Sequence, residues 1–347
     1  MLFHVNIDTV FSTFSSLPQM FLCTSWDIMP SMQINLEYLT EKFNSSFSYK
    51  MPFSASLSAV STGTVIAWMA QISPKLLDGE YGFPIDESEL SWIGSLLSVG
   101  AACLSLFIGH LCKFFGCKTT MLLLIVPITV GWSLITWATN VYMIYGGRFL
   151  TGMVAGCYCV TSPLYSSEIS EDAIRGTLGS FMQLMLNAGL LLAVIISKFA
   201  ELKIYNLCCL MVPIVFGVLF VFVPESPVHY LRKGDEDSAR TSLRRLRGKN
   251  YDVDEEMETI RGRLKDEESQ GGFRVLKEAF KKRNVKVAFA ISMCLMTLRV
   301  FSGIEAITPY ASYIFEHASS TFDPQVGTII LISLQVTFVE FLITSSQ

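Results

Sequence analysis

Apolar residues run in blocks of about twenty over positions 53–223, broken by short polar stretches, and resume at 285. A hydrocarbon core about 30 Å thick needs about 20 helical residues to cross it, so each block predicts a membrane span. Six spans are expected before residue 224, at roughly 53–73, 91–109, 119–138, 141–163, 177–197 and 204–223. A seventh is expected near 285–314 and an eighth near 325–343. HLCKFFGCK, positions 110–118, is expected as the loop between spans two and three, and Asn140 as a tight turn before span four. The pattern changes over 224–284. There Leu243, Leu246, Met257, Ile260 and Leu264 recur at helical spacing among charged residues, which predicts short amphipathic helices outside the membrane. Residues 1–50 are apolar only in patches, are interrupted by Pro18, and lack the basic start of a signal peptide, so no span is expected there.

Composition sharpens this picture. The chain of 347 residues is 51% hydrophobic and only 16% charged, with a mean hydropathy of +0.45. A soluble domain carries about a quarter charged residues, so the chain is a polytopic helical membrane protein with the lipid bilayer as its solvent. The net charge of -4 matters less than where the charges fall. Lys and Arg crowd 224–286 and recur at Lys113, Lys118 and Arg175, while the alternate loops hold Lys75, Lys198 and Lys203. That bias predicts a cytoplasmic linker and a cytoplasmic N-terminus. Asn44-Ser45-Ser46 would then be a chance glycosylation sequon. The nine cysteines show no zinc-site or disulfide-framework spacing and are expected as buried, reduced thiols. No phosphate loop, metal cluster or nucleophilic triad is present, so no enzyme activity, cofactor or nucleic-acid partner is expected. An oligomer is compatible with the sequence but not indicated by it.

Residues 163–189, PLYSSEISEDAIRGTLGSFMQLMLNAG, join spans four and five across a charged corner. Glu168 and Arg175 would face each other at adjoining helix ends, either as a gate latch or as an ordinary interfacial ion pair. Gln183 and Asn187 are amides well inside an apolar helix, where they need a neighbouring group or a substrate as partner. This stretch resembles the corner between helices four and five of the sugar porters of the major facilitator superfamily. Pro163, Tyr165, Glu168, Arg175, Gly176, Leu178, Gly179, Gln183 and Gly189 carry the resemblance. ESELSWIGSL, from Glu87, is similar to the start of helix two in insect trehalose and sugar transporters.

Further stretches fit the same family. GGRFLTGMVAG, from Gly146, resembles its helix-four motif; Gly152 and Gly156 would permit a close helix approach, and Arg148 would serve as an anchor or in an outer vestibule. GHLCKFFGCK, from Gly109, resembles the family's turn between helices two and three, with Lys113 and Phe114 in place of its acid and arginine. PESP, with Glu225, resembles the motif after helix six and would join the inner charge network or lie at a solvated helix end. RVFSGIEAITPYASYIF, from Arg299, resembles the substrate signature of helix seven through Ser302, Gly303, Ile304, Ala306, Tyr310, Ile314 and Phe315. Arg299 and Glu305 replace family amides there, and Gln335 falls at a sugar-binding amide position of helix eight.

The resemblance implies an all-α membrane protein of the major facilitator fold with about eight of the family's twelve helices. These are an N-terminal six-helix bundle (51–223), a charged linker (224–284) and the first two helices of a second bundle (285–347). It further implies a plasma-membrane facilitative carrier of a small sugar, trehalose or hexose. Its expected substrate residues are Gln183, Asn187, Arg299, Glu305, Tyr310 and Gln335, and its expected gating residues Glu168, Arg175, Glu225 and Arg148. Two alternatives stand beside this reading. A proton-coupled symporter needs a titratable group in the path; span one has none, and Glu305 is the exception. A truncated, non-transporting product fits the stop at Gln347.

Overall fold

The computed structural model describes residues 47–170, 175–247, 252–269, 280–281, 283–303 and isolated positions from 307 to 335, with side chains described from 54 onward apart from 175–178, 180 and 266–269. All regular structure among them is helical. The helices are α1 (Phe47–Leu77), α2 (Glu87–Ser105), α3 (Ile108–Phe115), α4 (Cys117–Leu123), α5 (Ile125–Thr136), α6 (Val141–Ile169), α7 (Arg175–Phe199) and α8 (Leu202–Val221). Next come α9 (Pro227–Arg232), α10 (Glu236–Arg247), α11 (Val253–Ser269) and α12 (Arg283–Phe301). Five stretches are long and apolar enough to cross a membrane: Ser54–Leu77, Cys117–Thr136, Phe181–Phe199, Leu202–Val221 and Arg283–Phe301. The pair α2–α3, bent by 47°, makes a sixth. With 29 residues α6 is long enough to span, at about 1.5 Å per residue. Its glycines, serines and Arg148 lower its hydropathy because it lies inside the bundle rather than against lipid.

Span two does not end where the sequence pattern suggests. HLCKFFGCK is not a loop: α3 continues through it to Phe115. Leu111, Phe114 and Phe115 keep the segment apolar, and no residue with turn chemistry appears before Gly116. That glycine alone makes the turn, with φ 95° and ψ 153°, a conformation open to glycine almost exclusively. The helix of span four passes through Pro163 and ends at Ile169, beside Glu168 at the charged corner, where the sequence places its end. Asn140 does mark the start of α6, where its side chain accepts the Met143 N–H at 3.0 Å.

Small residues set the helix crossings. Gly152 and Gly156 on α6 lie against the backbone of α2 at Leu97 and Ala101, and Gly100 of α2 lies against α6 at Phe149. On the other side Gly63 of α1 meets Leu186 and Gly189 of α7. A Cβ at Gly63, Gly152 or Gly189 would come 2.2 Å from a carbonyl oxygen of the facing helix, so these contacts require glycine. The two crossings pair spans two and four, and spans five and one. In a three-plus-three inverted repeat, spans two and five correspond, as do spans four and one, so the crossings are counterparts.

The linker is folded. Leu243 is fully buried, Leu246, Met257 and Ile260 are buried, and Leu264 is half-buried. Ala239, Leu243, Val253 and Met257 form a small core with Tyr230 and Leu231. Helix α12 ends at Phe301 and is followed by a turn at Ser302 and Gly303, the latter at φ 77°. Glu305 and Tyr310 lie outside the described residues.

Candidate functional site

The linker and the ends of α3, α4, α6 and α8 form one end of the bundle, the linker end; the other is the distal end. Polar groups concentrate at both ends and along the buried helix α1.

At the distal end one amide joins three elements. Asn206 of α8 accepts the Trp68 Nε1–H of α1 at 2.8 Å. Its Nδ2 donates to the hydroxyl of Tyr81, in the connection between α1 and α2, also at 2.8 Å. Burial pushes the Tyr81 phenol well above its usual range, against the opposing effect of Asn206. One turn further along α1, Gln71 accepts from Ser197 of α7 at 2.8 Å. Beside this network lies a cavity of about 850 Å³, bounded by Tyr81, Ser197, Lys198, Glu201, Lys203 and Asn206 among others.

Arg148 sits beneath that network and is completely buried. Its Nη1 donates to the Val65 carbonyl of α1 at 3.0 Å and its Nε to the Ile93 carbonyl of α2 at 3.4 Å. The guanidinium lies 5.0 Å from the centre of the Trp68 ring. One side chain on α6 therefore ties α1 and α2 together.

At the linker end Glu225 is buried and caps the start of α4. Its carboxylate accepts the N–H of Lys118 at 2.9 Å, and both the N–H and the hydroxyl of Thr119 at 3.1 Å. It also accepts the N–H of Ser226 at 3.0 Å. Tyr165 of α6 donates to the Pro224 carbonyl at 2.6 Å, and Ser242 of α10 donates to the Glu225 carbonyl at 2.6 Å. Arg247 closes the other side. Its guanidinium donates to the Ile169 carbonyl at the end of α6 at 2.8 Å and pairs twice with Glu256 of α11, at 2.7 and 3.1 Å.

The structure brings only some of the expected residues together. Glu168 is half-buried and has Ser226, Cys117, Arg232 and Glu225 as its electrostatic neighbours. Arg175 begins α7, but its side chain, and with it the Glu168–Arg175 pairing, lies outside the described residues. Asn187 is buried and Gln183 exposed on α7. Arg299 is exposed on α12, within electrostatic reach of Cys159 on α6, and Gln335 is half-buried. Sequence reasoning missed Gln71, Asn206 and the Arg247–Glu256 pair. Asn206 carried a usable signal, a lone amide in an apolar span, which is the criterion that singled out Gln183.

Comparison with known proteins agrees with this architecture. The family model for "Sugar (and other) transporter" matches residues 37–345. A facilitated trehalose transporter Tret1-2 homolog of Drosophila simulans is 32% identical over 306 residues, 87% of this chain and 62% of that protein. Facilitated trehalose transporter Tret1 of Bombyx mori is 32% identical over 275 residues, 79% of this chain and 54% of that protein. The chain thus spans under two thirds of the length of these relatives. In fold it is similar to the xylose transporter XylE from E. coli in a partially occluded inward open conformation, with a TM-score of 0.71, 20% identity, and coverage of 86% of this chain and 73% of that one. By its sequence match and its helical architecture, the chain belongs to the sugar (and other) transporter family, with a major facilitator superfamily fold.

Proposed function

We propose that this chain carries a small sugar, trehalose or a hexose, across the plasma membrane by facilitated alternating access. The observation that supports this reading best is a stripe on α7. Gln183, Asn187, Leu190 and Val194 recur at helical spacing and share one face. Asn187, Leu190 and Val194 are buried, whereas Gln183 and, one turn earlier, Gly179 are exposed. The exposed apolar residues Leu192, Ile195 and Phe199 lie on a different face, suited to lipid. The stripe is therefore interior-facing in its distal half and open in its linker-end half. An amide where an interior stripe meets open space suits a sugar hydroxyl, because it donates and accepts together.

In this reading Gln183 and Asn187 form one wall of the sugar site, and Arg299, Glu305, Tyr310 and Gln335 contribute from 285–347. Glu168, Arg175 and Glu225 act at a cytoplasmic gate, and Arg148 fixes the distal half of the 51–223 bundle as it rocks. The linker, 224–284, and the N-terminus lie inside. Facilitation is favoured over proton coupling because α1 contains no Asp or Glu. The test is uptake of labelled trehalose and glucose by cells with the chain at their surface. Saturable uptake that unlabelled sugar inhibits and a protonophore leaves unchanged is expected, with a several-fold loss in Gln183→Leu. Absence of any saturable component would overturn the proposal, and collapse of uptake by the protonophore would favour symport.

A further inference from the structure

A second cavity, of about 640 Å³, lies at the linker end between α4, the end of α8 and the helices α9 and α10, away from the α7 stripe. Its polar wall carries Lys118, Lys233 and Arg245, with Glu225 and Asp237 as the carboxylates. Glu225 accepts from the backbone donors of Lys118, Thr119 and Ser226 and from the Thr119 hydroxyl, and the Lys118 ammonium donates to the Val221 carbonyl, so Lys233 and Arg245 are the cations left to a ligand, and three cations face two carboxylates in all. Tyr230, Ser238 and Thr241 add hydroxyls to the lining. His229 also lines the cavity and is only 7% exposed. Its Nδ1 has no hydrogen-bond partner among the described residues. A buried imidazole nitrogen without a partner is costly unless a ligand or water supplies one.

The opposite rim is apolar and faces outward. Phe115, Val221 and Phe222 line the cavity and are exposed. From that rim, the exposed side chains Val218 and Leu219 of α8 and Val126 of α5 continue toward the distal end along the two packed spans. A wall of cations and hydroxyls beside a strip of exposed apolar residues at a span end matches an amphiphile: a charged head in the cavity and chains along the helices. A free phosphate would use the first wall and leave the second unexplained.

We propose that this cavity binds the phosphate-bearing headgroup of an anionic phospholipid, with its acyl chains along the exposed faces of α5 and α8. The site joins span three, span six and the linker, so an occupied site clamps the linker to the bundle. Basic residues near an anionic membrane surface each contribute about 1 kcal/mol of attraction, which makes the pair Lys233 and Arg245 the part of the site easiest to remove. Both are exposed, so their loss leaves the core intact.

The test is native mass spectrometry of the whole chain released from micelles holding equal amounts of phosphatidylglycerol and phosphatidylcholine. Retention of one phosphatidylglycerol is expected, with a preference that falls about thirtyfold in Lys233→Ala/Arg245→Ala. Asp237→Asn should raise the preference. Arg244→Ala/Lys265→Ala removes the same charge from exposed positions outside the cavity and should leave it unchanged. Equal loss in both double variants would overturn the proposal in favour of unspecific attraction. Unchanged preference in Lys233→Ala/Arg245→Ala would overturn it as well. So would displacement of the lipid by millimolar inorganic phosphate, which would assign the cavity to a soluble anion.

Discussion

Glu225 and Lys118 meet through the backbone. The Glu225 carboxylate accepts the Lys118 N–H at 2.9 Å, while the Lys118 ammonium turns to the Val221 carbonyl at 2.8 Å. Each charge thus sits at a helix end of opposite polarity: the acid at the start of α4, the cation at the end of α8. Arg247 at the Ile169 carbonyl repeats the arrangement at the end of α6. The linker end is held by charges on helix ends. These contacts hold the linker to the bundle although Lys113 and Phe114, both exposed, stand where the resembling family has an acid and an arginine.

Gly116 is the position on which that arrangement depends. A Cβ there would come 2.5 Å from the Glu225 Oε2, and the backbone has φ 95°. Gly116→Ala should therefore lower stability by about 2 kcal/mol, from backbone strain plus displacement of the carboxylate. Thermal unfolding of the purified protein measures this. Glu225→Gln keeps the shape but weakens the charge-assisted bonds, and a smaller loss is expected. An unchanged melting temperature in Gly116→Ala would contradict the cap.

Arg148→Lys should also destabilise, by about 2 kcal/mol. A lysine ammonium cannot reproduce the fork that reaches carbonyls on α1 and α2 while lying over Trp68. The same thermal measurement reads the loss, and a variant as stable as the parent would remove Arg148 from its anchoring role.

Asn206→Ala should cost about 1–3 kcal/mol, because it strands the buried Trp68 N–H and removes the partner of Tyr81. Tyr81→Phe alone should cost less. In a double-mutant cycle the two should be less than additive; strict additivity would separate them.

His229 gives the linker a pH dependence. Burial holds its imidazole below the usual value of 6.5; Glu225 opposes this, and Lys233 and Arg232 reinforce it. The folded state then binds fewer protons than the unfolded state. The stabilisation is complete above pH 6.5 and is lost as the pH falls through 6.5 toward the folded value. Melting temperatures at pH 7.5 and 5.5 should differ less in His229→Gln than in the parent. Equal differences would show that another group titrates.

Much of the bundle was legible in the sequence because a span needs only length and apolarity, and each block supplies both. The closely packed crossings were partly legible: Gly152 and Gly156 announce a contact, but nothing in the sequence says that α2 receives it. Helix ends were harder. An apolar loop and an apolar helix share one pattern, so HLCKFFGCK reads as a loop although the helix runs through it to the turn at Gly116. The site was least legible. Gln183 and Asn187 carry the same amide one turn apart, yet one is exposed and the other buried, because the surrounding helices close over only part of α7. The Arg247–Glu256 pair depends on how the linker folds back, which no local pattern encodes.

In the proposed function the open end of the α7 stripe belongs to the sugar path. Gly179 is exposed on that stripe, and a Cβ there meets nothing within 4 Å. Gly179→Cys therefore adds a probe while leaving Gln183 intact. Cys103, Cys159 and Cys294 are exposed where the sequence predicts buried thiols, so with the exposed native cysteines replaced by serine, a charged thiol reagent applied from the linker side should modify position 179. Saturating trehalose or glucose should slow that reaction several-fold. Modification only by a lipid-soluble reagent, or at a rate that no sugar changes, would contradict the account.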